Sequence, residues 1–301
     1  MLPTPSSSPR ASIVIRTYNE GRHLPGVLNR LAKQRFRDFE VIIVDSGSTD
    51  NTVAIAQLAN ARVVHIRKAD FTFGRSLNVG CAAAKGDILV FISGHCYPID
   101  ERWLEEMLRP FDADEKIGLT YGKQRGGKTT KFSEHCHFAK TFPARSAIPQ
   151  EGFFCNNANC AIRRSLWQQR PFNEALTGLE DLEWARWATD HGWKAAYTAS
   201  GGVHHIHDET WEQVKRRYER EAIALKHIIP DFQFSFWEFL HLFPHSVMLD
   251  WRQALRRGTL KRHAREVVMF RLMQYWGTWR GARLHRVLTK QIKEKFFYPN
   301  K

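Results

Sequence analysis

The chain changes character abruptly in the stretch Val41-Ile-Ile-Val-Asp45-Ser-Gly-Ser-Thr-Asp50-Asn-Thr52. Four β-branched apolar residues, Val41 to Val44, predict a buried strand, and a carboxylate and a polar loop with one glycine follow it. In an open parallel sheet, ligands bind beyond the carboxyl ends of the strands. Asp45 is therefore predicted to lie at a ligand-binding edge, with Ser48 or Asp50 capping the helix that follows.

The same arrangement of an apolar strand and a polar cluster at its carboxyl end occurs four times in the first 100 residues. Besides the stretch above, strands are predicted at 11–15, 62–66 and 88–92, and helices at 24–31, 52–59 and 81–85. This alternation predicts an α/β fold, with a doubly wound, mostly parallel sheet that carries helices on both faces. Neither G-x-G-x-x-G nor G-x-x-x-x-G-K-[ST] occurs, so the sequence supports neither a dinucleotide oxidoreductase nor a P-loop enzyme.

Length and composition indicate one large domain with an extension, since 43% of the 301 residues are hydrophobic. Residues 1–10 contain three prolines and three serines and are predicted to form a disordered lead-in. Apolar runs long enough for a signal peptide or a membrane span are absent from the sequence, so we expect a cytoplasmic protein. The five cysteines are scattered and lack the paired spacing of a structural zinc site, which indicates reduced thiols.

The net charge of +14 is concentrated at the end of the chain. From Trp251 to Lys301 there are fourteen Lys and Arg and two Glu, a net charge of +12, and the rest of the chain is nearly neutral. Residues 230–301 are also rich in aromatic residues, and two sets predict a basic amphipathic helix: an apolar stripe (Val268, Leu272, Tyr275, Trp279) and arginines 265, 271, 280, 283 and 286. Such a helix is typical of peripheral contact with an anionic membrane. The alternatives are a helical bundle with a solvated basic face and an oligomer interface; no base-reading module occurs, so nucleic acid is not an expected partner.

Several motifs resemble the opening of family 2 glycosyltransferases, in the same order and with the same spacing. They are Ile13-Val-Ile-Arg-Thr17-Tyr18-Asn19-Glu20, Val44-Asp45-Ser-Gly-Ser-Thr-Asp50, Asn78-Val-Gly80 with Lys85-Gly86-Asp87, Asn157-Ala-Asn159, and Gly178-Leu-Glu180-Asp181. The resemblance covers about residues 11–205. It implies a GT-A fold over 11–229 and non-processive transfer of a sugar from a nucleotide donor to an acceptor hydroxyl, usually with inversion.

The resemblance also implies which residues bind the nucleotide-sugar donor. The loop after the first strand and the aspartate after the second hold the nucleoside in similar proteins, and a carboxylate can accept hydrogen bonds from a base N–H or a ribose hydroxyl. The expected set is Thr17, Tyr18, Glu20, Asp45, Ser48, Arg75, Asn78, Ser93 and Gly94. Arg75 is expected to approach the diphosphate. The alternatives are that Asp45 only closes its turn and that Arg75 is a surface arginine.

The metal position departs from the family pattern. Where most members have Asp-x-Asp, which binds Mn²⁺ or Mg²⁺ through the diphosphate, this chain reads Ser93-Gly94-His95. His95 stands at the second Asp position, and imidazole is a competent ligand for Mn²⁺ but a poor one for Mg²⁺. The hypothesis is a divalent metal held by His95 and one of His204, His205 or His207. The alternative is a metal-independent enzyme that uses Arg and Lys side chains as its cations.

The resemblance makes Asp181 the general base that takes the acceptor's proton, with Glu180 supporting it. The alternative is that both carboxylates cap a helix. Asn156, Asn157 and Asn159 are expected to bind acceptor or donor hydroxyls, because amides both donate and accept; an Asx-rich turn is the other interpretation.

The function predicted from these observations is sugar transfer from a nucleoside-diphosphate-sugar to a glycan or lipid-linked acceptor. Synthesis of lipopolysaccharide, capsule or another bacterial surface polysaccharide is the expected setting, at the inner face of the cell membrane. A catalytically silent nucleotide-sugar-binding or scaffold protein is the alternative that the missing Asp-x-Asp leaves open. A sugar nucleotidyltransferase is not supported, because its Gly-rich signature loop is absent from the sequence.

Overall fold

The protein is described here from a computed structural model that covers residues 2–4 and 6–284. Contacts between residues divide the chain into two compact units. The first unit comprises residues 1–125, 142–175 and 180–205, and the second comprises 126–141, 176–179 and the chain from 206 onward. The predicted lead-in is partly ordered: Leu2 is buried, and Ser6 Oγ and the Arg10 backbone N–H donate to the Asp38 carboxylate at 2.9 Å each.

The parallel half of the sheet consists of the four strands that the sequence predicts. They are β1 (Ala11–Thr17), β2 (Phe39–Asp45), β3 (Arg62–His65) and β4 (Ile88–Ile92), in the spatial order β3-β2-β1-β4. Thr17 is paired in register with Asp45, so the carboxyl ends of β1 and β2 lie at the same edge of the sheet.

The other half of the sheet differs from the mostly parallel arrangement that the sequence predicts. It contains β5 (Cys96–Pro98), β6 (Ile117–Gly126), β7 (Asn159–Arg163) and β8 (Lys194–His205). In the described part of the chain the order is β3-β2-β1-β4-β7-β6-β8-β5, with β7 antiparallel to both β4 and β6, and β5 antiparallel to β8. The result is a mixed sheet whose parallel half carries the predicted ligand-binding edge.

The helices of the first unit follow the strands in βα alternation. They are α1 (Leu24–Ala32), α2 (Thr52–Leu58), α3 (Phe73–Ala83), α4 (Trp103–Ala113), α6 (Arg164–Gln169) and α7 (Glu180–Asp190). Helix α3 begins well before the predicted residue 81, because Thr72 Oγ1 accepts the Arg75 N–H at 3.0 Å and caps it. Asp50 Oδ1 accepts the Thr52 N–H at 3.0 Å, as expected for a residue that holds the start of α2.

The second unit is helical in its described part. It contains α5 (Phe132–Thr141), α8 (Trp211–Ile228), α9 (Phe236–Arg256) and α10 (Leu260–Arg283). Helix α10 lies against α8 very closely: a Cβ at Gly277 would be 2.3 Å from the Lys215 carbonyl oxygen, and one at Gly281 would be 2.2 Å from that of Glu219. Only glycine permits this approach. The predicted boundary at residue 229 falls between α8 and α9, inside this unit.

The apolar stripe that the sequence predicts on α10 (Val268, Leu272, Tyr275 and Trp279) packs inside the second unit and does not form its exposed apolar face. Tyr275 stacks on Phe234 at 6.1 Å between ring centroids, and its hydroxyl is 2.6 Å from Ser246 Oγ. Arg271, predicted as a free cation, is buried in an ion pair with Asp250. Arg286 lies outside the described residues. Helix α10 is therefore an internal helix of its unit, because its side chains pack against α8 and α9.

Candidate active site

One edge of the sheet collects the polar groups that the sequence placed at strand ends. Thr17 and Asp45 close β1 and β2, and Ile92 closes β4. Asn159 opens the antiparallel strand β7 and is paired with Ile92, so the loop before β7 reaches the same edge. This edge therefore holds both the predicted nucleotide residues and the predicted acceptor residues.

Asp45 is 1% exposed, and the chain itself satisfies its carboxylate. Oδ1 accepts from Ser48 Oγ at 2.5 Å and Thr17 Oγ1 at 3.1 Å, while Oδ2 accepts the backbone N–H groups of Gly47 and Ser48 at 3.0 Å each. Gly47 has a φ of 88°, a conformation that glycine adopts without strain. In this conformation Asp45 closes the turn, which was the alternative interpretation; its binding of a nucleoside stays a prediction.

Two other predicted nucleotide residues line this loop. Ser48 Oγ accepts the Asn19 backbone N–H at 2.9 Å, so it connects the loops after β1 and β2. Tyr18 lies beside Lys68, whose Nζ is 4.6 Å from the Tyr18 ring centroid and 2.5 Å from its hydroxyl. Lys68 is a cation at this edge that the sequence analysis did not single out.

Asn78 has a structural role that the sequence analysis missed. Its Oδ1 accepts from Trp167 Nε1 and from the Phe172 N–H, and its Nδ2 donates to the Phe172 carbonyl and to Glu174 Oε1, at 2.9–3.0 Å. These four bonds use all the donors and acceptors of the amide. These contacts anchor the segment at residue 172, and nucleotide binding by Asn78 stays a prediction. Arg75 Nη1 lies 3.5 Å from Glu174 Oε2, with both side chains partly exposed.

The loop after β4 brings His95 against Glu20. His95 Nδ1 is 2.8 Å from Glu20 Oε1, so Glu20 orients this imidazole. Its binding of the nucleotide stays a prediction. Gly94 makes the contact possible, because a Cβ there would lie 3.0 Å from Glu20 Cγ. Ser93 anchors the loop by donating its backbone N–H to the Ala158 carbonyl at 3.3 Å.

His205 is the predicted second histidine that lies next to His95. The two rings are stacked with centroids 5.1 Å apart, and both offer ligand nitrogens within 4.8 Å of one another. The side chain of Asn156 fixes the orientation of Gln124. Asn156 Oδ1 accepts the Ala158 N–H, so the same oxygen must also accept from Gln124 Nε2. Gln124 Oε1 then accepts from His205 Nδ1 at 2.8 Å. Nδ1 of each imidazole is therefore the donor, and in a neutral ring this leaves the lone pair on Nε2, the arrangement usual for metal-ligating histidines.

His204 and His207 were the other predicted candidates for the second histidine. His204 is adjacent to His205 in β8, so its side chain lies on the opposite face of the sheet. His207 belongs to the second unit, where its Nδ1 is 2.6 Å from Glu134 Oε1. In that unit Glu134, His207 and Glu209 offer ligand atoms within 4.8 Å, but Arg217 already pairs with both carboxylates at 2.6 and 2.7 Å.

The three asparagines before and in β7 differ in what their side chains do. Asn159 is used structurally: Oδ1 accepts from Trp103 Nε1 at 2.9 Å, and Nδ2 donates to the Gly201 carbonyl at 2.8 Å. Asn156 accepts from Gln124 and Ala158, as described above. Asn157 is 5% exposed, and neither its Nδ2 nor its Oδ1 has a hydrogen-bond partner among the described residues. A buried amide without partners is costly, so Asn157 is the asparagine that best suits ligand hydroxyls.

Glu180 and Asp181 are both buried at the start of α7. Asp181 Oδ2 accepts the Asn157 N–H at 2.7 Å, and Oδ1 accepts the Leu182 N–H at 2.8 Å. Glu180 Oε1 lies 3.1 Å from Arg16 Nη1. The Asp181 carboxylate is thereby fixed to the loop that carries the Asn157 side-chain amide.

Burial and, after it, the adjacent Glu180 carboxylate together raise the pKa of Asp181 to about 7. The Asn157 and Leu182 N–H groups and the Arg16 cation oppose this rise. A carboxylate with a pKa near neutrality is suited to general base catalysis, since it is both ionised and basic at the working pH. Helix capping alone would not require a buried pair of carboxylates.

Sequence reasoning missed Arg16, Lys68 and Gln124. Arg16 and its partner Glu180 are 164 residues apart in the chain. Both belong to motifs that resemble family 2 glycosyltransferases, and this was the one sequence signal that they could meet at the site. Gln124 lies in a strand that was not predicted. Lys68 follows the third strand, where its proximity to Tyr18 depends on how the loops meet.

Comparisons with known proteins agree with this geometry. The family profile described as "Glycosyl transferase family 2" matches residues 12–170, more than half of the chain. The chain belongs to glycosyltransferase family 2. Among curated relatives, the O-antigen chain rhamnosyltransferase RfbN of Salmonella typhimurium is 27% identical over 221 residues, which cover 69% of this chain and 70% of that protein.

Solved structures share the fold of this family 2 glycosyltransferase. The mannosyltransferase PcManGT of Pyrobaculum calidifontis, in complex with GDP-Man and Mn²⁺, has a TM-score of 0.62 at 16% identity and covers 99% of this chain and 90% of its own. Glucosyl-3-phosphoglycerate synthase of Mycobacterium tuberculosis, in complex with Mn²⁺, UDP and its product, has a TM-score of 0.56 at 21% identity, covering 73% and 80%. The predicted GT-A fold and glycosyltransferase class are thus confirmed. These two neighbours bind nucleotides with a divalent metal, and this chain has candidate metal-ligand groups of its own.

Proposed function

We propose that this glycosyltransferase moves a sugar from a nucleoside-diphosphate-sugar to a hydroxyl of a lipid-linked glycan during synthesis of a bacterial surface polysaccharide. The observation that carries the proposal is the buried Asp181 carboxylate, held by the Asn157 N–H and raised in pKa to about 7. Transfer requires a base for the acceptor hydroxyl, and this group has the required basicity. The similarity to an O-antigen rhamnosyltransferase supports the choice of pathway.

In this proposal Asn157 binds the hydroxyl that reacts or its neighbour on the sugar. Its backbone N–H fixes Asp181, while its buried side-chain amide has no partner of its own among the described residues. An incoming hydroxyl can satisfy the amide and, at the same time, donate to the base. Asn156 and Asn159 support the loop and are not part of the proposed acceptor site.

The same proposal includes a divalent metal at His95 and His205. Both rings are oriented through Nδ1, by Glu20 and Gln124, and their basic Nε2 atoms suit a Mn²⁺-like ion better than Mg²⁺. A metal bound there would neutralise charge on the departing diphosphate. Arg75 and Lys68 are the cations that would serve a metal-independent enzyme.

A thermal-stability test separates these two possibilities and identifies the donor. UDP, GDP, CMP and dTDP are each added with Mn²⁺, Mg²⁺ or chelator. A nucleotide at a hundred times its Kd stabilises the protein by about 2.7 kcal/mol, which raises the Tm of a protein of this size by about 4 °C. We expect one diphosphate to give this shift with Mn²⁺ only. His95→Ala should abolish the increase in Tm that the nucleotide gives with Mn²⁺. The matched change His227→Ala, at an exposed histidine on α8, should keep this increase. A full shift in chelator would contradict the metal assignment.

We further propose that the second unit binds the membrane surface through α9. Of ten large apolar side chains that are exposed in the described part of the chain, seven lie on this helix. Five of them, which we name the α9 stripe, fall within one narrow sector of the helix: Trp237, Leu240, Met248, Trp251 and Leu255. Trp237 is 78% exposed and Leu255 65%. Within residues 2–4 and 6–284, the helices are all too short or too polar to cross a bilayer.

The charge around the α9 stripe indicates an anionic lipid surface as its occupant. Six exposed cations follow at its carboxyl-terminal end: Arg252, Arg256, Arg257, Lys261, Arg262 and Arg265. Over residues 251–283 the sequence has a single acidic residue, Glu266. Exposed tryptophan beside clustered arginine is typical of a helix that lies in the headgroup region, where each cation contributes about 1 kcal/mol. An acceptor carried on a lipid would be met at this surface.

Vesicle co-sedimentation tests the membrane proposal. The protein should bind vesicles that contain phosphatidylglycerol and not pure phosphatidylcholine, and added salt should weaken binding. Changing Trp237 and Leu255 to serine should lower the vesicle partition coefficient about tenfold or more, since each large apolar side chain contributes about 1.5–3 kcal/mol when fully buried and less at an interface.

Leu58→Ser is the matched control, because Leu58 is 81% exposed on α2 of the first unit. It should leave vesicle binding unchanged. If the Trp237/Leu255 variant binds vesicles like the wild type, or if it converts a dimer to a monomer in size-exclusion chromatography, the α9 stripe is not a membrane surface.

A further inference from the structure

Arg16, near the end of β1, is held on three sides within the first unit. Its Nη1 donates to Glu180 Oε1 at 3.1 Å and to the Phe73 carbonyl oxygen at 3.2 Å, and its guanidinium lies 5.2 Å from the Phe73 ring centroid. The contacts join a strand, the start of α3 and the start of α7. This geometry fixes a positive charge beside the buried carboxylates.

Glu180 and Asp181 are consecutive and buried, so their charges interact strongly. Glu180 is satisfied by a cation, whereas Asp181 receives only backbone N–H groups, from Asn157 and Leu182. The other ionisable groups around them do not neutralise either one: the Cys155 thiol is buried, and Glu183 on the same helix pairs with Arg170. Arg16 therefore bonds to Glu180 and not to Asp181, although Asp181 is the proposed base.

We propose that Arg16 is a positioning residue for sugar transfer, which binds Glu180 and so leaves the adjacent Asp181 as the carboxylate that takes the acceptor's proton. The inference rests on the proposed function, since it assumes Asp181 as the base. Arg16 orients the Glu180 carboxylate, and Glu180 in turn raises the pKa of Asp181. Without Arg16, its positive charge no longer opposes the rise in the pKa of Asp181.

The pH dependence of kcat/KM tests this division of roles. The assay measures release of nucleoside diphosphate, with water as acceptor, from the nucleotide sugar whose diphosphate gives the largest thermal shift. Because the base must be ionised, activity falls as pH falls through the pKa of Asp181. This fall in activity is the acidic limb of the pH profile. Arg16→Gln removes a nearby cation and should move the acidic limb to higher pH by about one unit or more. Glu180→Gln removes a nearby anion and should move it to lower pH.

Two further variants distinguish positioning from simple structural support. The double variant Arg16→Gln/Glu180→Gln should return the limb toward its wild-type position, and Arg16→Lys, which keeps the charge, should move it less than Arg16→Gln. Arg170→Gln is the matched control, because it removes the cation that pairs with Glu183 on the same helix, and it should leave the limb in place. Thermal melting of each variant verifies that it is folded.

A fall in kcat/KM that is equal at every pH for Arg16→Gln would overturn the inference and leave Arg16 with a structural role. The ¹³C carboxyl resonance that Asp181→Asn removes gives the same titration without turnover, so a slow assay does not prevent the test. Failure of the proposed function has a different signature: Asp181→Asn would then keep its activity, whatever the Arg16 variants do.

Discussion

Asp181→Asn is expected to lower kcat by about a hundredfold to ten-thousandfold, the usual contribution of a general base. Asparagine has nearly the same shape and can keep one contact to the Asn157 N–H, but it cannot take a proton. Because the interaction is made as the acceptor loses its proton, KM should change little. Turnover is measured as release of nucleoside diphosphate from the donor.

The wild-type activity should rise with pH and reach half of its maximum near pH 7, since the pKa of Asp181 is raised to about 7 by burial and by Glu180. Asp190→Asn is the matched control: it is the same chemical change at the end of the same helix, where the side chain is exposed and paired with Arg186. This control should keep full activity. Near-wild-type turnover in Asp181→Asn would rule out Asp181 as the base.

Asp250→Ala is expected to lower the free energy of unfolding by about 3–5 kcal/mol, the usual cost of removing one partner of a buried ion pair. Arg271 Nε and Nη2 donate to the two Asp250 oxygens at 2.8 and 3.0 Å, and both residues are buried between α9 and α10. Alanine leaves the guanidinium buried with Gln274 as its remaining side-chain partner. Chemical denaturation followed by circular dichroism measures the loss.

Asp231→Ala is the control for this experiment, because Asp231 is an exposed aspartate in the turn between α8 and α9. It should change stability by less than about 0.5 kcal/mol. The double variant Asp250→Leu/Arg271→Met removes both charges and should recover most of the loss, since apolar side chains of similar size can replace a buried pair. If Asp250→Ala is as stable as the wild type, the pair does not stabilise the second unit.

The parallel half of the sheet could be predicted because its signals are local. Each of the four strands is a short apolar run with a polar group at its end, and parallel strands buried on both faces need such runs. The family motifs also predicted Asp181 as the base, and the structure buries its carboxylate beside Glu180. Strand β8 was missed because Lys194–His205 mixes glycine, serine and charged residues, without a regular apolar period.

The roles of individual polar residues were less predictable. Asn78, Asn157 and Asn159 are the same residue type in quoted motifs, yet only Asn157 keeps an amide that the described chain does not satisfy. What an amide binds depends on the atoms that folding brings to it, and for Asn78 these come from residues up to 96 positions away. The sequence around Asn78 contains no local signal of partners so far away in the chain.

The sequence by itself determined the α/β class, the sheet edge at which the polar strand ends lie, the glycosyltransferase family and the basic, aromatic end of the chain, because each depends on residue type and spacing over short stretches. Only the tertiary structure decided that Arg16 pairs with Glu180, that His205 rather than His204 faces His95, and that α9 rather than α10 exposes its apolar side chains. Each of these depends on packing between segments far apart in the chain: the same amphipathic pattern is buried when another helix covers it, and is a surface when none does.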